Sequence, residues 1–229
     1  MDKPTFRNHF ETLLGVSPFP WQEELWRRMI EPPDTWPRVV DIPTGLGKTS
    51  VIAVWLLALL NNTNRIPRRL VYVVNRRTVV DQTTIEVQKM RNALPQLNRP
   101  EFNTLAISTL RGQFADNREW FSDPSKPAVI CGTVDMIGSR LLFGGYRIGF
   151  KSRPLHAGFL GQDALLIHDE AHLEPAFQKL IESIQQEQVQ EKQTHDLPWP
   201  KLQVMALSAT AREGNTDTQK DGYFTLSDE

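Results

Sequence analysis

Short apolar runs recur along the chain, separated by longer segments in which apolar residues return every three or four positions. Runs rich in Val, Ile and Leu are typical of β-strands, and the longer spacing is typical of helices that bury one face. We predict strands at residues 38–42, 70–74, 104–108, 128–131, 164–168 and 203–207. We predict helices at residues 21–30, 48–60, 78–92, 134–143 and 174–189. This alternation of strands and helices indicates βαβ units.

The predicted strands are apolar almost throughout, with little alternation between apolar and polar residues. A sheet built from such strands has helices on both faces. We therefore predict an α/β fold with three layers and a mainly parallel central sheet. The last predicted helix ends in a polar tract at 185–196, which we interpret as a surface loop. Regular structure is not predicted for two other segments, the glycine-rich stretch at 143–163 and the polar tail after residue 210.

The length and composition fit a single domain. The chain has 229 residues, of which 40% are hydrophobic, and this is enough to bury one sizeable core. We assign residues 1–211 to the domain, with 1–16 as an N-terminal extension, and we interpret residues 212–229 as a polar tail that begins a linker. The only cysteine, Cys131, lies in an apolar run, which excludes a disulfide framework. Because no secretory signal or membrane span is recognisable, we expect a cytoplasmic location and no membrane partner.

The stretch DIPTGLGKTS, residues 41–50, follows one predicted strand and opens a predicted helix. Glycines in such a turn let backbone N–H groups converge on phosphate oxygens, and the helix N-terminus adds a positive dipole. We expect Lys48 to reach the β and γ phosphates and Thr49 to ligate Mg²⁺. The nucleotide contacts predicted in this phosphate loop are Thr44, Gly45, Leu46, Gly47, Lys48, Thr49 and Ser50. Ile42 stands where the strict motif has its first glycine.

An acidic pair, Asp169 and Glu170, follows the apolar strand ALLIH. Ligands of open parallel sheets bind at the carboxyl ends of the strands. We expect Asp169 to hold Mg²⁺ and Glu170 to polarise the attacking water. Alone, such a pair is equally typical of a solvated helix cap. A metal pair of His168 and Asp169 is rejected, because neighbouring residues on a strand point to opposite faces.

The motifs P-T-G-x-G-K-T, D-E-A-H and S-A-T occur in the order of motifs I, II and III of superfamily 2 helicases, which this chain resembles. The resemblance implies a three-layer RecA-like P-loop NTPase domain that uses ATP and Mg²⁺. It also makes Ile42 a feature of the family. The catalytic residues it implies are Lys48, Asp169, Glu170 and His172.

The same resemblance assigns coupling roles and a partner. His172 would couple the nucleotide to motion of a neighbouring domain, and Ser208 and Thr210 would link the γ-phosphate to the interface with a second RecA-like domain. That second domain supplies the arginine fingers that stabilise the transferring phosphoryl group. We therefore expect this chain alone to bind ATP weakly and hydrolyse it poorly.

Longer strings resemble the helicase part of the CRISPR-associated helicase-nuclease of type I interference systems. They are PFPWQEELW, NRRTVVDQ, CGTVDMIGSRLLFGGY, RPLHAGFLGQDALLIHDEAHLEP and LSAT, and the resemblance covers most of residues 17–210. It implies single-stranded DNA, an HD nuclease and an RNA-guided surveillance complex as partners in antiviral defence. No HD signature is visible in this sequence, so the resemblance does not extend nuclease activity to this chain.

The segment PFPWQ, residues 18–22, resembles the adenine-reading Q motif of the superfamily. An amide can pair with N6 and N7 of adenine, and a flat aromatic ring can stack on the base. We expect contacts with the adenine from Phe19, Trp21 and Gln22. Packing in the core is the alternative for Trp21, and it is the favoured interpretation for Trp26.

Contacts with nucleic acid must be local, because 26 Lys and Arg against 27 Asp and Glu give a net charge of -1. Segments after three of the strands resemble motifs Ia, Ib and Ic of the superfamily, which hold a single strand by its phosphates. The predicted contacts are Asn75, Arg76, Arg77, Arg111 and Thr133. A basic helix cap is the alternative for the Arg76 and Arg77 pair, and a structural role is considered for Arg140.

Three other functions remain open at this point. The motor could belong to a restriction-type translocase or to an RNA helicase of the D-E-A-H group. The chain could also be a RecA-like docking module that keeps the motifs for structure alone. A GTPase is disfavoured, because the guanine-reading sequence N-K-x-D does not occur.

Overall fold

A computed structural model describes residues 1–31, 36–61, 65–99, 104–112, 119–145, 147–195, 201–209 and 223–225. The α-helices in these ranges are α1 (Lys3–Leu14), α2 (Pro20–Ile30), α3 (Val51–Asn61), α4 (Arg77–Ala93), α5 (Glu119–Ser122), α6 (Val134–Leu141), α7 (Arg153–Gly161) and α8 (Pro175–His195). The strands are β1 (Val39–Asp41), β2 (Arg69–Val74), β3 (Ala106–Leu110), β4 (Ala128–Thr133), β5 (Ala164–His168), β6 (Leu202–Ser208) and β7 (Tyr223–Thr225). Short 3₁₀ helices cover Lys48–Ser50, Leu94–Leu97, Phe150–Ser152 and Ala171–Leu173.

The seven strands form one sheet in the order β3-β4-β2-β5-β6-β1-β7, and every neighbouring pair is parallel. All six predicted strands and all five predicted helices are present, with bounds shifted by a few residues. The α/β fold with a parallel sheet is therefore confirmed. Since all strands run the same way, their carboxyl ends meet at one edge of the sheet.

Two apolar layers cover the two faces of the sheet, as three-layer architecture requires. Alternate residues of β2 separate into them: Leu70, Tyr72 and Val74 join the larger cluster, and Val71 and Val73 join the smaller one. The larger cluster includes residues of α1, α2, α3 and α4, and the smaller one includes residues of α5, α6, α7 and α8. Helix α3 is buried almost all round, and none of the helices in the described ranges has both the length and the apolarity of a membrane span.

The N-terminal segment is part of the core, which the sequence pattern did not predict. Asp2 caps the N-terminus of α1, because its side chain accepts a hydrogen bond of 2.9 Å from the Thr5 backbone N–H. Gly15 caps the C-terminus of this helix with a φ of +71°. Such caps satisfy the free backbone groups at both ends of the helix. Phe6 and Phe10 are fully buried, and Phe6 stacks on Trp26 at 4.8 Å.

The polar tract at 185–196 was predicted as a surface loop, and this prediction is wrong for the described residues, because α8 continues to His195. Gln, Glu and Lys are good helix formers, and the tract contains no Gly or Pro that would end the helix early. Gln188 fixes this part of α8 to the sheet, since its amide donates to the Gly161 carbonyl at 2.7 Å and accepts from the Leu202 N–H at 2.8 Å.

Two other segments without predicted structure contain regular elements. The glycine-rich stretch includes α7, where Pro154 stands in the first turn, the position at which proline favours a helix. The polar tail includes β7, which pairs in parallel with β1 and adds the edge strand of the sheet. This strand lies beyond the predicted domain boundary at residue 211, and the boundary itself stays a prediction.

Candidate functional site

The three motifs lie side by side at the carboxyl edge of the sheet. The phosphate loop follows β1, the acidic pair follows β5, and β6 ends at Ser208, the first residue of the S-A-T motif. These three strands are neighbours. The register places Asp41 opposite Ser208, and the Ile42 N–H donates to the Ser208 carbonyl at 3.1 Å. Segments far apart in sequence thus converge on one cleft, where an open parallel sheet binds its ligands.

The phosphate loop departs from the β1 strand through Ile42, whose side chain is fully buried in the core. This burial explains why an apolar residue is compatible with the first position of the motif. Gly45 and Gly47 have φ angles of +87° and +71°, which only glycine adopts readily. Lys48, Thr49 and Ser50 then form a 3₁₀ turn that leads into α3. The predicted strand–loop–helix context of the motif is present.

The side chains of Gln22 and Phe19 lie against the phosphate loop. Gln22 is 2% exposed, and its amide donates to Ser50 Oγ at 2.6 Å and accepts from the Phe19 N–H at 2.8 Å. A Cβ at Gly47 would lie 3.2 Å from this amide and 3.7 Å from the Phe19 ring. Phe19 itself is 42% exposed. The geometry leaves the Phe19 ring available for stacking. Both polar atoms of the Gln22 amide have partners within the protein, which connect α2 to the loop, and its contact with the adenine stays a prediction.

Trp21 was predicted to contact the nucleotide, and the structure corrects this prediction. Its ring is 3% exposed and belongs to the core, so neither face is open to a base. The indole Nε1 donates to the Leu46 carbonyl at 3.1 Å, which supports the phosphate loop from within the protein. Trp26 packs in the core as expected, at 2% exposure.

The two carboxylates of the acidic pair have different hydrogen-bond partners. Glu170 accepts a hydrogen bond of 2.8 Å from Lys48 Nζ, which joins the acidic turn to the phosphate loop. This turn is tight, because Glu170 has a φ of +52°, a conformation that non-glycine residues rarely adopt. His172 follows in a 3₁₀ turn, and its Nδ1 lies 3.5 Å from the other Glu170 oxygen. Strain of this kind is concentrated at functional sites.

Asp169 is held by a residue that the sequence did not single out. Tyr72 donates from its hydroxyl to Asp169 Oδ2 at 2.8 Å, while Asp169 Oδ1 is buried and has no hydrogen-bond partner. Burial is the main cause that raises the pKa of Asp169 above its ordinary value, against the opposing effects of Tyr72 and Lys48. The sequence offered only the register as a signal, since Tyr72 lies on β2 beside β5.

The residues predicted to hold Mg²⁺ fit that ion. A buried carboxylate oxygen without a partner costs free energy unless a ligand compensates it, and Asp169 Oδ1 is such an atom. Mg²⁺ typically uses one or two protein oxygens together with phosphates and waters. The described residues contain no group of three His, Cys, Asp or Glu that could hold a metal by themselves.

His168 and Arg140 have structural contacts. The His168 ring is fully buried on the opposite side of the sheet from the nucleotide cleft, with Nδ1 2.8 Å from Gln178 Oε1 and an edge contact to Phe177. Burial lowers its pKa, which favours the neutral ring. Arg140 is 4% exposed and donates to the Met136 carbonyl at 2.9 Å. Both observations agree with the interpretations drawn from the sequence.

The predicted nucleic-acid contacts lie on the other half of the same edge, after β2, β4 and β3. Arg76 and Arg77 are exposed at the start of α4, and Asn75 is half-buried beside them. Thr133 is paired with Val74, is 7% exposed and occupies the N-cap position of α6, without a capping hydrogen bond from its side chain. Arg111 Nε lies 2.5 Å from Asp81 Oδ1, so a carboxylate already neutralises part of its charge. Ser208 is half-buried, and Thr210 lies outside the described residues.

Comparison with known proteins agrees with this geometry. The profile of the DEAD/DEAH box helicase family matches residues 19–218, which is most of the chain. The chain belongs to the DEAD/DEAH box helicase family. It therefore carries the N-terminal motor domain of a superfamily 2 helicase, a family of ATP-dependent enzymes. No similar sequence was found among the curated proteins.

Solved structures of other proteins share the fold. The DEAD-box helicase Mss116 bound to ssRNA and UDP-BeF has a TM-score of 0.63 at 16% identity, covering all of this chain and 44% of that one. The yeast DEAD-box splicing factor Prp28 has a TM-score of 0.58 at 16% identity, with coverages of 93% and 46%. A nuclease-deletion mutant of the Type ISP restriction-modification enzyme LlaGI, in complex with a DNA substrate mimic, has a TM-score of 0.53 at 16% identity, with coverages of 93% and 20%. The chain thus spans less than half of each of these proteins.

Proposed function

We propose that this helicase domain binds ATP with Mg²⁺ and couples its hydrolysis to movement along single-stranded DNA in CRISPR type I interference. The observation that carries the nucleotide part is the convergence of Lys48, Glu170 and Asp169 at one cleft. Lys48 Nζ and Glu170 Oε1 are 2.8 Å apart, and Asp169 presents a buried oxygen without a partner. The DNA and CRISPR parts rest on the sequence resemblance across residues 17–210.

The residues of the cleft have distinct roles in this proposal. Lys48 leaves Glu170 and pairs with the β and γ phosphates, while N–H groups of the phosphate loop bind the remaining oxygens. Thr49 and Asp169 would hold Mg²⁺, which would neutralise charge that develops on the transferring phosphoryl group. Glu170, released from Lys48, orients the attacking water and accepts its proton. Phe19 stacks on the adenine, and the Gln22 amide positions Ser50 and the loop.

Efficient hydrolysis needs a second RecA-like domain. Arginine fingers from such a domain stabilise the transition state and raise turnover by about a thousandfold or more. In this proposal, Ser208 and Thr210 pass the state of the nucleotide to that interface, together with His172. An HD nuclease and a surveillance complex are the further partners. The isolated chain is expected to show negligible strand separation.

The proposed DNA track uses backbone contacts without reading bases. Arg76 and Arg77 are exposed at the N-terminus of α4, where their guanidinium groups can bind phosphates. Thr133 and its helix N-terminus offer a second phosphate contact two strands away from β5. A motor that must move along any sequence requires contacts of this kind. An RNA helicase or a restriction-type translocase would use the same geometry, so the nucleic acid that stimulates turnover decides between them.

The test measures ATP turnover by the complete protein that contains this domain, with single-stranded DNA and single-stranded RNA added in parallel. We expect DNA to stimulate turnover and RNA to have little effect. Lys48→Ala should abolish turnover, whereas Lys192→Ala on α8 should leave it unchanged. Stimulation by RNA alone would favour the RNA helicase, and full biological activity of Lys48→Ala would favour a docking module.

A further inference from the structure

Tyr72 lies beneath the nucleotide cleft, in the middle of β2. It is 1% exposed and pairs with Cys131 on one side and with Ile167 on the other. Its ring belongs to the larger apolar cluster, the cluster that contains α3. A fully apolar residue would satisfy this position in the core, so the hydroxyl group needs an explanation of its own.

The hydroxyl group binds one of the residues that are predicted to hold the metal. It donates to Asp169 Oδ2 at 2.8 Å. A phenol has a single proton, so that proton is committed to Asp169.

This hydrogen bond determines which carboxylate oxygen remains available. The bond to Asp169 Oδ2 leaves Oδ1, which is buried and has no hydrogen-bond partner, as the oxygen that can bind a cation. A water in place of the Tyr72 hydroxyl could satisfy Oδ2, but it would not fix the orientation of the carboxylate.

We propose that Tyr72 is a positioning residue that orients Asp169 toward Mg²⁺. The proposal rests on the proposed function, because it needs ATP and Mg²⁺ to bind in this cleft. Partners that orient metal ligands from behind typically change metal affinity by about tenfold to a hundredfold. Tyr72 does not touch the nucleotide or the reacting atoms in this proposal, so its effect should appear in the dependence on metal.

The first test titrates Mg²⁺ against binding of a fluorescent, non-hydrolysable ATP analogue to this chain. Tyr72→Phe removes only the hydroxyl, and we expect the half-saturating Mg²⁺ concentration to rise about tenfold or more. Binding of the analogue in excess EDTA should stay within about twofold of wild type, since the phosphate loop is unchanged. Thr84→Val is the matched control, because it removes another buried hydroxyl, one that donates to the Val80 carbonyl at 2.8 Å away from the cleft.

The second test needs neither metal nor nucleotide. The free energies of unfolding of wild type, Tyr72→Phe, Asp169→Asn and the double variant form a cycle, in which the hydrogen bond predicts non-additive effects. Additive effects in this cycle would overturn the role of Tyr72. So would an unchanged Mg²⁺ dependence in Tyr72→Phe, provided that wild type binds the analogue in an Mg²⁺-dependent way. Neither result would overturn the proposed ATP site. If wild type shows no Mg²⁺-dependent binding at all, the proposed ATP site fails together with it.

Discussion

The ion pair between Lys48 and Glu170 competes with ATP for the lysine, and this leads to a prediction opposite to the effect of most active-site substitutions. The two side chains are 10% and 31% exposed, with 2.8 Å between Nζ and Oε1. Unit charges at this distance attract by roughly 6 kcal/mol at an effective dielectric constant of about 20. Desolvation and solvent screening offset most of that energy, which leaves a net contribution of about 1 kcal/mol.

Glu170→Gln keeps the shape of the side chain and removes its charge, so a phosphate displaces a weaker partner from Lys48. A difference of about 1 kcal/mol corresponds to roughly fivefold in the dissociation constant. We therefore expect this variant to bind an ATP analogue up to fivefold more tightly than wild type, measured by fluorescence anisotropy at fixed Mg²⁺. In the complete two-domain protein the same variant should lose turnover, because the group that accepts the proton of the attacking water is gone.

The charge-matched control is Glu187→Gln on the exposed side of α8, which should leave the affinity unchanged. Binding that becomes several-fold weaker in Glu170→Gln would refute the competition between Glu170 and phosphate. Undiminished turnover by the two-domain Glu170→Gln protein would refute the catalytic role of Glu170.

Three further predictions concern the loop, the metal ligand and the DNA track. Gly47→Ala should weaken binding of the ATP analogue at least tenfold, because its φ of +71° and the 3.2 Å approach to Gln22 exclude a methyl group without rearrangement; wild-type affinity would contradict this. Asp169→Asn should raise the free energy of unfolding in the absence of metal, measured with urea at pH 7. Folding raises the pKa of the Asp169 carboxyl, so its ionisation destabilises the folded protein once the pH exceeds the pKa of the unfolded state. The gain in the variant should therefore vanish at acid pH, where the carboxyl is protonated in both states. Arg76→Ala combined with Arg77→Ala should weaken single-stranded DNA binding and reduce its salt dependence by about 1.4 in log–log slope, and an unchanged slope would remove both residues from the track.

The parts of the fold that follow from local pattern were predicted well. Val71 and Val73 lie on one face of β2 and Leu70 and Val74 on the other, so an apolar run indicated a strand buried on both faces. The same pattern could not identify β7, because a strand of three residues at the sheet edge has too little apolar surface to stand out. It could not identify the end of α8 either, because the C-terminal half of this helix is rich in Gln and Glu and has no apolar stripe.

The candidate site divides in the same way. The phosphate loop and the acidic turn carry their chemistry in consecutive residues, so Lys48 and Glu170 were found from sequence before their contact of 2.8 Å was known. Tyr72 acts across two strands, and its importance depends on the β2–β5 register, which sequence does not contain. Trp21 was misassigned because the sequence near a nucleotide motif does not show whether an aromatic ring faces the ligand or, as here, supports the loop from within the protein.

The central claim is that three strand ends build one site for ATP and Mg²⁺, and calorimetric titration of ATP into this chain with Mg²⁺ present tests it most directly. We predict binding of one nucleotide per chain in wild type and loss of detectable binding in Lys48→Ala, while the Lys192→Ala variant behaves as wild type. Absence of binding by wild type, or equal binding by Lys48→Ala, would contradict the account.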